Sequence, residues 1–139
     1  MRHFILTGAL IIGSFTSLGS AAQPAHTERH AYNEIHTQEL KAWYDQGKEM
    51  IVIDARSEPY YDGTLLPEAQ WISYEASDYD VNAAIPSKNS LVVVYCWSPA
   101  CPASQYMVDR LVAAGYTNIY KYTEGLQDWM QKGYPTLKR

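Results

Sequence analysis

The run Leu91-Val92-Val93-Val94-Tyr95 restricts the fold more than any other part of this 139-residue chain. It is short, wholly apolar and rich in β-branched side chains, and the turn Pro86-Ser87-Lys88-Asn89-Ser90 precedes it. A strand with no polar face must be covered on both sides, which is the condition of a parallel sheet interior. Met50-Ile51-Val52-Ile53 is a second run of the same kind. Helical patterns precede and follow these runs. Thr37 can cap a helix carrying Leu40, Trp43 and Tyr44 and ending at Gly47. Met107, Val108, Leu111, Val112 and Ala114 recur at helical intervals before Gly115, and Leu126, Trp129 and Met130 mark a closing helix. Shorter strands are expected at 69–72 and 118–122, and a weak helix within 74–84. Strands alternating with helices predict an α/β domain, a parallel sheet flanked by helices on both faces.

The N-terminus reads as an export signal. Arg2 and His3 form a basic start, Phe4 to Leu18 is largely apolar, and Gly19-Ser20-Ala21-Ala22 offers small residues for cleavage. The apolar part is too short, and too interrupted by Gly and Ser, for a membrane span. Residues 1–22 are therefore expected to be removed, leaving a periplasmic or secreted protein with no stable membrane association. Residues 23–34 are polar and without period, a linker or N-terminal arm, and 35–139 form one domain. A net charge of −4 and the lack of a basic stripe exclude a nucleic-acid partner. His26, His30 and His36 lie in or beside the arm without a second cluster of ligands. They are expected to be solvated, and neither a metal nor a cofactor is anticipated.

Both cysteines of the chain fall in one loop, Cys96-Trp97-Ser98-Pro99-Ala100-Cys101. The loop joins the end of the apolar run to a helical pattern whose first turn suits Pro102, since proline's missing N–H has no partner there anyway. A sulfur held in front of a helix N-terminus meets aligned N–H groups and the positive end of the dipole. Thiolate and persulfide anions are favoured in that setting. An exported protein meets oxidants, so the two cysteines are candidates for pairing, provided their Cα atoms approach within about 7 Å. Cys101 has three open roles: bonding to Cys96, resolving a persulfide or sulfenate, or simple packing. Asp54 and Arg56, at the end of the other apolar run, are expected to fix neighbouring loops through hydrogen bonds and an ion pair. Trp97 would wall or cover a pocket, while Trp43, Trp71 and Trp129 are expected to pack.

Five landmarks, in order, resemble the rhodanese-like (sulfurtransferase) domain family. Ile51-Val52-Ile53-Asp54-Ala55-Arg56 resembles its apolar strand ending in Asp-x-Arg. Gly63-Thr64-Leu65-Leu66-Pro67-Glu68-Ala69-Gln70-Trp71-Ile72 resembles its Gly-His-Ile-Pro-Gly-Ala-x-x-Ile segment. Val92-Val93-Val94-Tyr95-Cys96 resembles the strand that delivers the catalytic cysteine. Ala114-Gly115-Tyr116-Thr117-Asn118-Ile119-Tyr120 resembles Leu-Gly-Tyr-x-Asn-Val. Glu124-Gly125-Leu126-Gln127-Asp128-Trp129, followed by Gly133-Tyr134-Pro135, resembles Gly-Gly-x-x-x-Trp with a terminal Gly-aromatic-Pro. The resemblance implies a five-stranded parallel sheet flanked by helices. It also implies that Cys96 accepts a sulfane sulfur as a persulfide and passes it to a thiol or cyanide acceptor, or to a protein thiol. Trp97, Ser98, Ala100 and Cys101 would then belong to the cradle around that sulfur.

Three departures from the family pattern bear on activity. The loop carries no Arg or Lys and no central glycine, and Pro99 removes one N–H donor. Thiosulfate, a dianion, is therefore expected to be a poor donor. Thr64 stands in place of a histidine and Glu68 in place of a glycine, both in a segment expected to shape the fold, and Glu124 replaces the first glycine of Gly-Gly. Two other chemistries are disfavoured. A Cys-x5-Arg phosphatase needs an arginine where Pro102 stands. Trp97-Ser98-Pro99-Ala100-Cys101-Pro102 is also similar to a thioredoxin motif that would make Cys101 the reactive thiol, but too little chain follows it for that fold. The remaining alternative is a catalytically silent module that binds a partner or senses redox state through Cys96 and Cys101.

Overall fold

The computed structural model describes residues 31–139. The expected export signal and most of the expected arm lie outside the described residues. Five strands form one parallel sheet: β1 (Asn33–Ile35), β2 (Ile51–Asp54), β4 (Gln70–Trp71), β5 (Val92–Tyr95) and β6 (Ile119–Tyr122), in the order β1-β6-β5-β2-β4. The α-helices among the described residues are α1 (Thr37–Asp45), α2 (Asp78–Ala84), α3 (Ala103–Ala113) and α4 (Gly125–Gln131). Among the described residues no helix is long and apolar enough to cross a membrane.

The two apolar runs hold the centre, as their composition demands. β2 and β5 are paired in register, Ile53 beside Val94 and Asp54 beside Tyr95. Pleating then divides β5 between two cores. Val92, Val94 and Cys96 pack with Val81 of α2 and with Met107, Val108 and Leu111 of α3. Val93 and Tyr95 pack with Leu40 of α1 and with Leu126 and Trp129 of α4. Each Leu or Val buried in this way contributes about 1.5–3 kcal/mol. The buried Tyr95 hydroxyl is anchored by the Leu66 N–H at 3.0 Å, and burial drives its pKa far above the ordinary tyrosine value.

Several local expectations are corrected. Asn33 and Glu34, expected in the arm, belong to edge strand β1, which pairs with β6 from Asn33 to Ile35. Only Ile35 of that strand is buried, so no apolar run announced it. Thr37 does not cap α1: His36 occupies the cap position, and the Tyr122 hydroxyl, Thr37 Oγ1 and Asp128 form a hydrogen-bonded chain instead. Pro102 sits one residue before α3 rather than in its first turn, and its carbonyl accepts the Tyr106 N–H at 3.1 Å. α2 is shorter than the weak pattern suggested because Ser77 caps it, its Oγ accepting the Asp80 N–H at 3.1 Å. Trp43 and Trp129 pack as expected, but Trp71 is 37% exposed and stacks on Tyr61 with ring centroids 4.3 Å apart.

A second, two-stranded antiparallel sheet was not foreseen. In it β3 (Thr64–Leu65) pairs with β7 (Leu137–Lys138), tying the chain end to the loop after Arg56. Strands of two residues carry no period, and this pairing is remote in sequence. Glu68, where the family pattern has glycine, adopts φ 59°, a left-handed conformation that costs a residue with a Cβ about 1–2 kcal/mol.

Candidate active site

The carboxyl edge of the sheet gathers the residues of interest. From β2 the chain leaves toward β4 at one end of the sheet, whereas from β5 it leaves toward β6 on the opposite side. Such a divergence opens a crevice beyond the strand ends, where α/β folds bind their ligands. Cys96 lies there, directly after β5, with 1% of its surface exposed.

The loop after Cys96 is held from two sides. The Cys101 N–H donates to the Ser98 carbonyl at 3.0 Å, closing a tight turn. From the other side, the first N–H groups of α4 take the carbonyls at the start of the loop. Leu126 donates to Cys96 at 2.9 Å and Gln127 to Trp97 at 2.8 Å. This approach requires glycine at 125. Its φ is +75°, and a Cβ there would stand 2.7 Å from the Cys96 oxygen and from the Trp97 carbonyl. Glu124, where the family pattern has a further glycine, has ordinary helical angles, so only the second glycine of that pair is needed. Sequence reasoning did not connect Gly125 to the cysteine loop, although its place in the Gly-Gly landmark was the available signal.

Cys96 and Cys101 are joined by a disulfide, with their Cα atoms 6.2 Å apart. Of the three roles left open for Cys101, the structure presents the bond to Cys96. In this state neither sulfur is a thiolate, and the Cys101 N–H serves the turn rather than a ligand.

Beside the disulfide lies a cavity of about 460 Å³ lined by Arg56, Ser57, Tyr60, Asp62, Trp97, Cys101 and Ala103. Trp97 and Cys101 were expected at such a pocket, whereas Ser98 and Ala100 do not line it. Trp97 stands at its rim, 38% exposed. The single turn of 3-10 helix over Glu58–Tyr60 contributes Tyr60, which is 75% exposed. This turn and Asp62 went unrecognised in the sequence, because they come from a loop remote from the cysteines.

Arg56 brings to the cavity the cation that the cysteine loop lacks, but its charge is already matched. Its Nη2 donates to Asp54 at 2.7 Å and to the Thr64 carbonyl at 2.7 Å, and Nε donates to both Asp54 oxygens. Nη1 reaches the Tyr60 carbonyl at 3.1 Å and Asp62 at 3.4 Å. Burial works against the charged guanidinium, yet the hydrogen bond and charge of Asp54 outweigh it and hold Arg56 above its ordinary pKa. The Thr64 N–H, with the charge of Arg56 also helping, keeps Asp62 below the usual carboxylate range. The guanidinium carbon lies 5.5 Å from the Tyr61 ring and 6.0 Å from the Trp97 ring. The Trp71 Nε1–H secures the Arg56 carbonyl at 2.7 Å. Asp54 and Arg56 form an ion pair and Arg56 hydrogen-bonds to the loop carbonyls of Tyr60 and Thr64, and Arg56 additionally forms one wall of the cavity.

His36, expected to be solvated, is exposed but not alone: its Nδ1 lies 2.6 Å from Glu124 Oε1. The hydrogen bond and then the charge of Glu124 raise its pKa above 6.5. It tethers β1 to the segment after β6, on the far side of β6 from the cysteine-bearing strand. Among the described residues no group of three metal-ligating side chains converges.

The chain was compared with known proteins. The family model described as Rhodanese-like domain matches residues 36–132. Among solved structures, a Bacillus halodurans protein superposes with a TM-score of 0.68 at 22% identity, over 76% of this chain and 77% of that one. A thiosulfate sulfurtransferase from Pseudomonas aeruginosa gives 0.64 at 19% identity, over 77% of this chain and 20% of that larger one. A rhodanese from E. coli, described with anions, gives 0.54 at 26% identity, over 66% of this chain and 100% of that one. No curated protein matches the chain significantly.

Proposed function

The chain belongs to the rhodanese-like domain family, which is related to sulfurtransferases, and from that premise we propose that it is a sulfurtransferase whose Cys96 takes up a sulfane sulfur. The observation that carries this reading is the position of Cys96, the first residue beyond the central strand, in a loop leading to α3 and beside a cavity at the sheet's carboxyl edge. Once reduced, its thiolate attacks the sulfane sulfur of a donor, and the resulting persulfide is delivered to a thiol or to cyanide. The uptake step requires the Cys96–Cys101 bond to be open.

The cavity also supports a donor preference. Its one guanidinium is paired with Asp54 and faces Asp62, and the remaining lining is largely aromatic and aliphatic. A small dianion finds no unmatched charge there, whereas an organic persulfide can place hydrocarbon against Trp97 and Tyr60. Thiosulfate is therefore a poor donor in this reading.

The test is uptake by reduced protein. Incubation with an organic persulfide should add about 32 Da to Cys96, an adduct absent from Cys96→Ser, with cyanide converting the bound sulfur to thiocyanate. Failure of Cys96 to accept sulfur from any donor would favour the second reading, a silent module sensing redox state, for which the disulfide is the specific support. We propose in addition that the protein is exported, as its N-terminal sequence suggests. N-terminal sequencing of the chain from a periplasmic or secreted fraction should then begin after Ala22.

A further inference from the structure

We infer that the site releases sulfide: Cys101 resolves the Cys96 persulfide by forming the disulfide seen here, so that a sulfane sulfur is reduced rather than only handed on. This rests on the proposal that Cys96 takes up sulfur. Three observations carry it. The two sulfurs are already bonded and the Cα atoms stand 6.2 Å apart, so the endpoint of the reaction fits the fold. Cys96 is almost wholly buried, whereas Cys101 is partly exposed and lines the cavity through which a donor arrives. Cys101 also lies just ahead of the 11-residue helix α3, whose N-terminus favours its thiolate.

The chemistry balances as follows. The Cys96 thiolate attacks the outer sulfur of the donor, the S–S bond of the donor breaks, and the remainder, a thiolate from an organic persulfide or sulfite from thiosulfate, leaves with the bonding pair. The Cys101 thiolate then attacks Cys96 Sγ. The bond from Cys96 Sγ to the terminal sulfur breaks, hydrosulfide leaves with that electron pair, and the Cys96–Cys101 bond forms. The sulfane sulfur gains two electrons and the two thiols together lose two, while the proton lost by Cys101 ends on the sulfide. An external dithiol reopens the disulfide by exchange at the accessible Cys101 sulfur, leaving as its own disulfide. Tethering decides between resolution and transfer. A thiol five residues away on a closed loop attacks intramolecularly, with an effective concentration at or above the millimolar range that dissolved acceptors seldom match.

The experiment is a single turnover. Full-length protein is reduced, freed of reductant and mixed with thiosulfate in large excess, which offsets its poor fit to the cavity and brings no thiol that could itself release sulfide; sulfide is then trapped with a bimane and the chain is weighed. The wild type should release about one equivalent of sulfide and end about 2 Da lighter than its reduced form, both cysteines oxidised. Cys101→Ser should release none and retain about 32 Da on Cys96. A wild-type chain that keeps a stable persulfide and releases no sulfide overturns the inference and leaves the sulfurtransferase reading intact. A Cys101→Ser chain that never gains sulfur, with thiosulfate or with glutathione persulfide, overturns the sulfurtransferase reading itself. The wild-type mass and sulfide yield do not depend on how well the variant folds.

Discussion

Arg56 holds Asp54 through three hydrogen bonds, two from Nε at 3.1 and 3.0 Å and one from Nη2 at 2.7 Å, with both side chains at 2% exposure or less. The pair does two things. It joins the end of β2 to the loop that carries Tyr60, Asp62 and Thr64, and it neutralises the cation that lines the cavity beside the disulfide.

Removing one partner leaves the other charge buried and alone. Asp54→Ala should destabilise the domain by about 3–5 kcal/mol, the usual result of breaking a buried ion pair. Urea unfolding followed by tryptophan fluorescence measures this directly. A loss below 1 kcal/mol would mean that the pair contributes little beyond the hydrogen bonds Arg56 makes to carbonyls.

A cation placed in the cysteine loop should change the donor preference. Ala100 is exposed and outside the cavity lining, so Ala100→Arg adds charge without disturbing the core. On reduced protein the KM for thiosulfate should fall by about tenfold, worth roughly 1.4 kcal/mol. That is within reach of one partly screened charge pair. Use of an uncharged donor should stay the same, and equal changes for both donors would contradict the electrostatic account.

Gly125 and Gly115 form a controlled comparison. Both have positive φ, but a Cβ at 115 meets nothing within 4 Å, whereas one at 125 meets the Cys96 and Trp97 backbone at 2.7 Å. Gly115→Ala should cost about 1–2 kcal/mol from backbone strain. Gly125→Ala should cost about 3 kcal/mol or more, since overpacking adds to strain, and should slow sulfur uptake by shifting the Cys96 carbonyl. Thermal unfolding together with uptake rates would separate the two effects.

Glu68 invites the opposite change. With φ at 59° and an exposed side chain, Glu68→Gly should raise stability by about 1 kcal/mol, because strain is relieved without loss of packing. Chemical denaturation should show a higher midpoint at an unchanged slope.

The His36–Glu124 pair makes one contribution to stability pH-dependent. Glu124 raises the His36 pKa in the folded chain above the ordinary 6.5. The stabilisation is therefore complete below 6.5 and disappears as pH rises through the raised folded value. The difference in Tm between wild type and His36→Gln should be largest near about pH 5 and shrink toward about pH 8. A constant difference across that range would show that the contact does not depend on the charge of the imidazole.

What the chain order alone determined is the part governed by local pattern. Val92 to Tyr95 and Ile51 to Ile53 suit interior parallel strands, because they leave no polar face to meet water. Helical spacing and glycine stops located α1, α3 and α4 before and after them, and both cysteines were visible in one loop ahead of α3. Edge strand β1, the β3–β7 pair and the cap of α1 were not legible, since each is decided by a partner distant in sequence. The surroundings of the cysteines were likewise a tertiary matter. Arg56, Tyr60 and Asp62 reach the cavity only because β2 lies beside β5, and Gly125 supports the Cys96 carbonyl only because β6 lies on the other side. The presence of two thiols was written in the loop. Whether they meet, and that the cavity's cation is already matched by Asp54, depended on distances that only the packed sheet sets.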